Sequence, residues 1–171
     1  VVDPELTYTM PRAVTASTGM DALAQVIEPF VSTRANPMVD SLCREGMIRA
    51  GRSLLRAYQN GEDSHAREDM SYTSLMGGLA LANAGLGAVH GFAAPLGGMY
   101  PASHGVLCAR MLAPVVRFNY RALLARHPGH PALEKYKEAA RLVMGGSGDS
   151  VEVWAEWIED LCQKMEIPRL A

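Results

Sequence analysis

Residues 83–104 read NAGLGAVHGFAAPLGGMYPASH, and they combine five glycines, two prolines and two histidines. The stretch holds no Asp, Glu, Lys or Arg, so we expect His90 to be buried. His104 follows Ser103, a favourable helix N-cap residue, and the field of a helix start disfavours a protonated ring. We therefore expect two buried, neutral imidazoles, as metal ligation requires. By spacing alone, a histidine in such a stretch is more often only hydrogen-bonded within a core.

The glycines of this stretch do not form a dinucleotide-binding fingerprint. That fingerprint follows a strand, whereas Gly85 and Gly87 follow a predicted helix, and the position of its last glycine is His90. We expect these glycines to let backbones approach each other closely.

A second stretch, residues 17–32 (STGMDALAQVIEPFVS), predicts the partner of the first. Its apolar residues recur at steps of three and four, as on one face of a helix. Asp21 and Gln25 lie one turn apart, and Glu28 continues this polar row. Periodicity by itself favours a solvated helix face. The alternative is a carboxylate ligand beside an amide oxygen, which with two histidines would suffice for a catalytic divalent site.

The rest of the chain predicts an all-α fold packed as a helical bundle. Residues 1–9 (VVDPELTYT) predict the tail of a strand followed by a turn, and Thr15, Ser17 or Thr18 is expected to cap the first helix. Pro114 is expected to kink or end the fifth helix. The third helix is predicted to bury Met70, Leu75, Met76, Leu79 and Ala82. The predicted helices cover residues 17–32, 37–60, 64–84, 86–98, 104–115, 131–144 and 150–165.

Composition restricts the classes of partner. The 171 residues are 49% hydrophobic with a net charge of -2, and no basic stripe indicates nucleic acid. No apolar run approaches the roughly 20 residues that span a bilayer, and the start has no signal-peptide pattern, so we expect a cytoplasmic protein. The chain has three cysteines, an odd number, and they are widely spaced. This pattern does not indicate a disulfide framework and predicts buried thiols. His127 and His130 lie in a Pro/Gly loop, where we expect exposure.

Three blocks carry a resemblance: TASTGMDALAQVIEPFVS (15–32), ANPMVDSLC (35–43) and NAGLGAVHGFAAPLGGMYPASHGVLCARMLAPVVRFN (83–119). Their order and spacing resemble the iron-containing (group III) alcohol dehydrogenase family. The resemblance implies the all-helical, dehydroquinate synthase-like C-terminal domain, which holds a divalent metal, often iron or zinc. Residues 1–10 would then be a remnant of a missing N-terminal nucleotide-binding domain. Residues 11–171 would be the helical metal-binding domain, truncated at its C-terminus.

The resemblance also implies a site, residue by residue. The ligands of the family match Asp21, His90 and His104. Gln25 stands where the family usually has histidine, and Ala94 where it commonly has another. Phe92 and Ala94, in the apolar wall 92–95, would border substrate and nicotinamide, and the smaller Ala94 predicts a bulkier or less polar substrate than a short diol.

The implied function is hydride transfer between a small alcohol or aldehyde and NAD or NADP, with Fe2+ or Zn2+ as Lewis acid. The chain by itself is expected to be inactive and, through an exposed apolar face, to form a homo-oligomer. The alternative is a metal-free, inactive helical module that serves in oligomerisation or persists as a remnant. Gln25 and Ala94 favour that alternative, whereas Asp21, His90 and His104 favour the enzyme.

Overall fold

The computed structural model describes residues 1–148 and 150–170, and in these ranges it contains α-helices, one 3-10 helix and no strand. The predicted all-α bundle is confirmed. The helices are α1 (Arg12–Val31), α2 (Pro37–Gln59), α3 (Ser64–Ala84), α4 (Ala88–Met99), α5 (His104–Arg126), α6 (Ala132–Val143) and α7 (Val151–Lys164).

Helix α1 is the centre of the bundle and packs against α2, α3, α5 and α6. Its predicted apolar stripe is buried, with Met20, Leu23 and Phe30 fully inaccessible to solvent. Because α1 is covered on several sides, it also buries residues that a half-exposed helix would leave in water, including Thr15 and Glu28. Polar side chains on the covered faces of this helix therefore lie inside the protein, where they need partners.

Two helix starts follow from local capping, as predicted. The Asn36 side chain accepts a hydrogen bond from the Val39 amide at 3.1 Å, and Asp63 accepts one from Ala66 at 3.0 Å. These bonds satisfy amide groups that have no partner within their own helices.

The predicted start of the first helix is wrong, because α1 begins at Arg12 with Pro11 at the N-cap. A proline at this position loses no intrahelical hydrogen bond, so the helix can start there. The Ser17 and Thr18 hydroxyls donate to the Val14 carbonyl and cap nothing, and Thr15 is already inside the helix.

The predicted buried face of α3 is also largely wrong. Leu75 and Leu79 are 42% and 44% exposed, Ala82 is exposed and Met70 is half-buried, and only Met76 is buried as expected. The helix packs closely on α1 and α2, and this proximity selects smaller residues. The smaller buried residues are Ala66, Thr73, Gly77, Ala80 and Ala84.

Pro114 does not end the fifth helix, which continues to Arg126. The proline costs one backbone hydrogen bond, but α5 packs against α1, α4 and α7, and this packing stabilises a continuous helix.

Helix α4 leaves α3 at a sharp angle. Gly85, at the end of α3, has a φ of 68°, a conformation that favours glycine.

Within the described residues no single helix has both the length and the apolar character to cross a membrane. Ser64–Ala84 and Ala88–Met99 meet that criterion only as a pair bent by 100°.

The first residues form no strand. Pro4–Thr7 are a 3-10 helix whose N-cap, Asp3, accepts a hydrogen bond from the Glu5 amide at 3.0 Å. A strand needs a neighbouring strand for its backbone hydrogen bonds, and the described residues offer none. The turn is confirmed, whereas the assignment of residues 1–10 to a link from another domain stays a prediction.

Candidate metal centre

Four side chains from three helices meet at one point. Asp21 comes from the middle of α1, His90 from the first turn of α4, and His104 and Cys108 from the first two turns of α5. One ligand atom from each lies within 4.8 Å of all the others. The structure thus brings together the three predicted metal ligands and adds a cysteine that the sequence did not single out.

The separations between these atoms suit a bound cation. Asp21 Oδ1 lies 3.0 Å from His90 Nε2 and 3.6 Å from His104 Nε2. Cys108 Sγ lies 3.4 Å from His104 Nε2 and 3.7 Å from His90 Nε2. Ligands at the usual metal distances, arranged as a tetrahedron, are about 3.3–3.6 Å apart. The donor set and its spacing therefore fit a divalent metal such as Fe2+ or Zn2+.

Close contact between α1 and α5 brings two of these ligands together. A Cβ atom added at Gly105 would collide with the backbone carbonyl of Ser17 on α1. Gly105 directly follows His104, and Ser17 lies one turn before Asp21. The missing side chain thus lets α5 approach α1 until the His104 ring reaches the Asp21 carboxylate.

Glu28 supplies the missing cap of α4. That helix starts at Gly87, which has no side chain to cap it. The Glu28 carboxylate, 5% exposed, accepts hydrogen bonds from the amides of Val89 at 2.7 Å and His90 at 3.4 Å. A carboxylate is favoured at a helix N-terminus, where the helix dipole is positive. A Cβ at Gly87 would come within 2.7 Å of this carboxylate, so glycine makes room for it.

Glu28 also orients the His90 ring. Its Oε2 lies 2.6 Å from His90 Nδ1, which directs Nε2 toward Asp21. A carboxylate behind a metal-binding histidine is a common arrangement that fixes the ring and raises its basicity. The sequence places Glu28 only in a polar row and does not reveal this role. A usable signal was that α4 has free amide groups and no capping side chain of its own.

The surroundings of His90 bear on the expectation that its ring is neutral, which stays a prediction. Burial lowers the pKa of the ring, but hydrogen bonds to Asp21, Cys108 and Glu28 outweigh it and raise that pKa to about 11. The Asp21 and Glu28 carboxylates, one on each side of the ring, thus favour its protonated form when no metal is bound. A metal at Nε2 has to replace that proton, because ligation uses the neutral ring.

The two histidines differ in exposure. The His90 side chain is 11% exposed, close to the burial expected for it, whereas that of His104 is 48% exposed. The expectation that both rings are buried is wrong for His104, because the start of α5 lies at the surface. The cluster is consequently closed on the side of His90 and open to solvent on the side of His104.

Gln25 lies behind Asp21. Its amide nitrogen donates to Asp21 Oδ2 at 3.1 Å, which leaves Oδ1 facing the histidines. Burial raises the pKa of Asp21, but hydrogen bonds from His90 and Cys108 outweigh it and lower that pKa. Direct metal ligation by Gln25 stays a prediction.

The residues of the predicted apolar wall, 92–95, lie on different sides of α4. Ala93 is completely buried in the core, so residues 92–95 do not form one exposed wall, whereas Phe92 is 51% exposed and Ala94 is also exposed. Contact of Phe92 and Ala94 with substrate or cofactor stays a prediction. His127 and His130 are exposed in their loop, as expected.

A cavity of about 600 Å³ lies elsewhere, between the N-terminal segment, α1 and α3. Its lining does not include the four clustered side chains. Among the described residues, the group of side chains that could hold a metal ion is the cluster and not this cavity.

Comparison with known proteins places these features in a family. The sequence model of the Fe-containing alcohol dehydrogenase family, C-terminal, matches residues 15–170. Alcohol dehydrogenase 4 of Schizosaccharomyces pombe is 46% identical over 121 residues, which are 71% of this chain and 29% of that protein.

Two solved structures have the same fold. Alcohol dehydrogenase from Oenococcus oeni matches with a TM-score of 0.85 and 37% identity, over 97% of this chain and 42% of that one. Sulfoacetaldehyde reductase from Bifidobacterium kashiwanohense, in complex with NAD+, matches with a TM-score of 0.83 and 32% identity, over 97% and 41%. The chain thus spans less than half the length of each of these three proteins.

Proposed function

The chain belongs to the Fe-containing alcohol dehydrogenase family, in its C-terminal part, and from this we propose that it is the metal-holding domain of an NAD(P)-dependent alcohol dehydrogenase or aldehyde reductase. The observation that carries the proposal is the convergence of Asp21, His90 and His104 at separations of 3.0 and 3.6 Å from one carboxylate oxygen. We assign these three side chains as metal ligands.

A divalent cation held there supplies Lewis-acid polarisation of an alcohol or carbonyl oxygen. The side chains of this domain position the cation and offset part of its charge. Asp21 offsets part of the charge of the cation, Glu28 fixes the His90 ring, and Gln25 holds the second oxygen of Asp21. The exposed side of His104 is where a substrate oxygen would enter.

The nicotinamide would come from a domain that precedes this one. We propose that residues 1–10 link to that domain and that residues 11–171 form the metal-binding domain. The NAD+ complex of the similar sulfoacetaldehyde reductase supports NAD or NADP as the cofactor. The exposed face of α4, with Phe92 and Ala94, would border substrate and nicotinamide, and substrates would be small alcohols or aldehydes. The 171-residue chain alone would then neither bind NAD(P) nor turn over substrate.

One experiment tests the metal site. The protein is loaded anaerobically with Fe2+ or Zn2+, dialysed and submitted to elemental analysis, beside Asp21→Asn and a control, Asp160→Asn, whose exposed carboxylate lies on α7. We expect close to one metal in wild type and in the control, and little in Asp21→Asn. Wild type without metal would defeat the metal site.

The second candidate function is a metal-free helical module that acts in oligomerisation. The observation in its favour is that α4 exposes large apolar side chains, with Met99 at 71%. It predicts no retained metal and no difference between wild type and Asp21→Asn in the same experiment.

A further inference from the structure

We propose that Cys108 is a fourth protein ligand of the metal and that it makes the site a zinc-type centre. This inference rests on the proposed function, since it presupposes a metal at Asp21, His90 and His104. It goes beyond that function by adding a sulfur donor and by specifying the chemical class of the cation.

The position of Cys108 is the first argument. It lies one turn after His104 on α5, so both side chains project from the same face of the helix. Its Sγ contacts the metal-facing nitrogens of both histidines, at 3.4 and 3.7 Å. For a nitrogen ligand and a thiolate on one tetrahedral ion, the expected separation is about 3.6 Å. No large movement of α5 is needed for sulfur to bind.

The other cysteines provide an internal comparison. All three thiols are free and buried. The Cys162 thiol instead donates to the Ala109 carbonyl at 3.6 Å, and Cys43 is on α2, which contributes no residue to the cluster. Burial of a thiol is thus general in this chain, whereas contact with two imidazole nitrogens distinguishes Cys108 among the described cysteines.

Gln25 is the competing candidate for the fourth position, and its amide faces away from it. The nitrogen donates to Asp21 Oδ2. The oxygen lies beside α3, where a Cβ added at Gly77 would be 3.3 Å from it. Helix α3 contributes nothing to the cluster. In this arrangement the amide oxygen points toward a neighbouring helix and the thiol points toward the ligands.

The chemistry follows from the donor set. A carboxylate and a thiolate together offset the charge of a divalent cation, and the thiol proton passes to water as sulfur binds, without oxidation or reduction. Imidazole and thiolate donors together favour zinc over a harder ion. His104 is 48% exposed, so a substrate oxygen could reach the ion from that side as a fifth ligand.

Cobalt substitution tests the sulfur directly. Co2+ replaces the metal in the protein, and the near-ultraviolet spectrum is searched for a sulfur-to-cobalt charge-transfer band, with cobalt content measured in parallel. We expect the band in wild type and in the control Cys162→Ser, and its loss in Cys108→Ser with cobalt still bound. Cobalt bound without the band in wild type, or a band that persists in Cys108→Ser, would overturn the inference and leave the proposed function intact. A wild-type protein that binds no cobalt would overturn both.

A second measurement does not depend on a variant that folds. X-ray absorption of the zinc-loaded wild-type protein should show one sulfur at about 2.3 Å beside the nitrogen and oxygen ligands. A first shell of nitrogen and oxygen only would exclude Cys108. Where Cys108→Ser does fold, its zinc affinity should fall at least about tenfold, the lower end of the effect of removing even an outer-sphere partner.

Discussion

Glu28 and His90 form a pair in which one carboxylate both caps a helix and fixes a ring: Oε2 of Glu28 lies 2.6 Å from His90 Nδ1, while Oε1 accepts from the Val89 amide at 2.7 Å. The start of α4 and the direction of His90 Nε2 therefore depend on the same buried side chain of α1. A change at Glu28 acts on both at once.

Replacing Glu28 with Gln should weaken metal binding about 10–100-fold, because the ring loses the acceptor that orients it and raises its basicity. Zinc titration followed by calorimetry measures the effect. Glu62→Gln is the matched control, since Glu62 is exposed in the turn before α3. Equal affinities for all three proteins would show that Glu28 has no such role.

Gly105→Ala should destabilise the protein by about 1–3 kcal/mol, because the added methyl group collides with the α1 backbone at Ser17. Urea unfolding measures the change. Gly78→Ala is the control: it lies inside α3 with nothing within 4 Å of an added Cβ, and it should stabilise the protein by about 0.5–1 kcal/mol. If both substitutions changed stability alike, α1 and α5 would not be in close contact here.

Asp69 gives the protein an acid-sensitive contribution to stability. Burial raises the pKa of this carboxyl, but hydrogen bonds from Arg52, Ser53 and Arg49 outweigh it and lower that pKa from 3.8 to about 2. A lowered folded-state pKa stabilises the protein above the unfolded value, and the gain is lost as pH falls from about 4 to 2. The expected loss is about 1–2 kcal/mol, discounted because Arg52 is 55% exposed.

Urea unfolding of wild type and Asp69→Asn between pH 7 and pH 2 tests this contribution. The difference between their free energies of unfolding should be constant above about pH 5 and shrink at lower pH. Asp160→Asn, at an exposed position, corrects for general acid effects. A difference that stays constant down to pH 2 contradicts the prediction.

Ala94 should influence substrate size in the complete protein. Wild type is expected to prefer bulkier or less polar alcohols to short diols, and Ala94→His should shift kcat/KM toward short diols by roughly tenfold, the effect of a small change in pocket volume. Steady-state rates on a panel of alcohols measure it, with Ala125→His on the exposed end of α5 as control. A wild-type preference for short diols would refute this prediction.

The exposed apolar face of α4 should promote association of this chain. Phe92 and Met99 are 51% and 71% exposed, and Tyr100, directly after the helix, is 58% exposed. Light scattering of the 171-residue chain should find a dimer or larger assembly, and Phe92→Glu should shift it toward monomer, because a charge disfavours burial of that surface. A monomer in wild type at all concentrations would count against association through this face.

The elements that the sequence predicted well are those with local causes. Asn36 and Asp63 cap the helices that follow them, and the stripe from Met20 to Phe30 is buried as its spacing required. The resemblance to the iron-containing alcohol dehydrogenase family is confirmed over residues 15–170. The buried face of α3 was missed, since close packing selected small residues over Leu75 and Leu79.

The predicted site was incomplete because contacts between distant parts of the chain are not visible in local sequence patterns. The residue pattern offers Asp21, His90 and His104 as one of two readings, and the resemblance selects them as ligands. Glu28 and Cys108 were not identified, because their partners come from other parts of the chain. The Glu28 contact with Val89 spans 61 positions, and that of Cys108 with His90 spans 18. Periodicity reports which side of a helix is apolar, and it does not report what a buried polar group meets.

The distance in sequence between Asp21 and His90, 69 positions, has a thermodynamic consequence. An ion held by both would be a cross-link between α1 and α4, and it would exist only in the folded chain. Binding and folding are therefore linked: free metal at 100 times its dissociation constant adds about 2.7 kcal/mol to the stability. The unfolding temperature of the protein, followed against metal concentration, reports the occupancy of this site without any substrate.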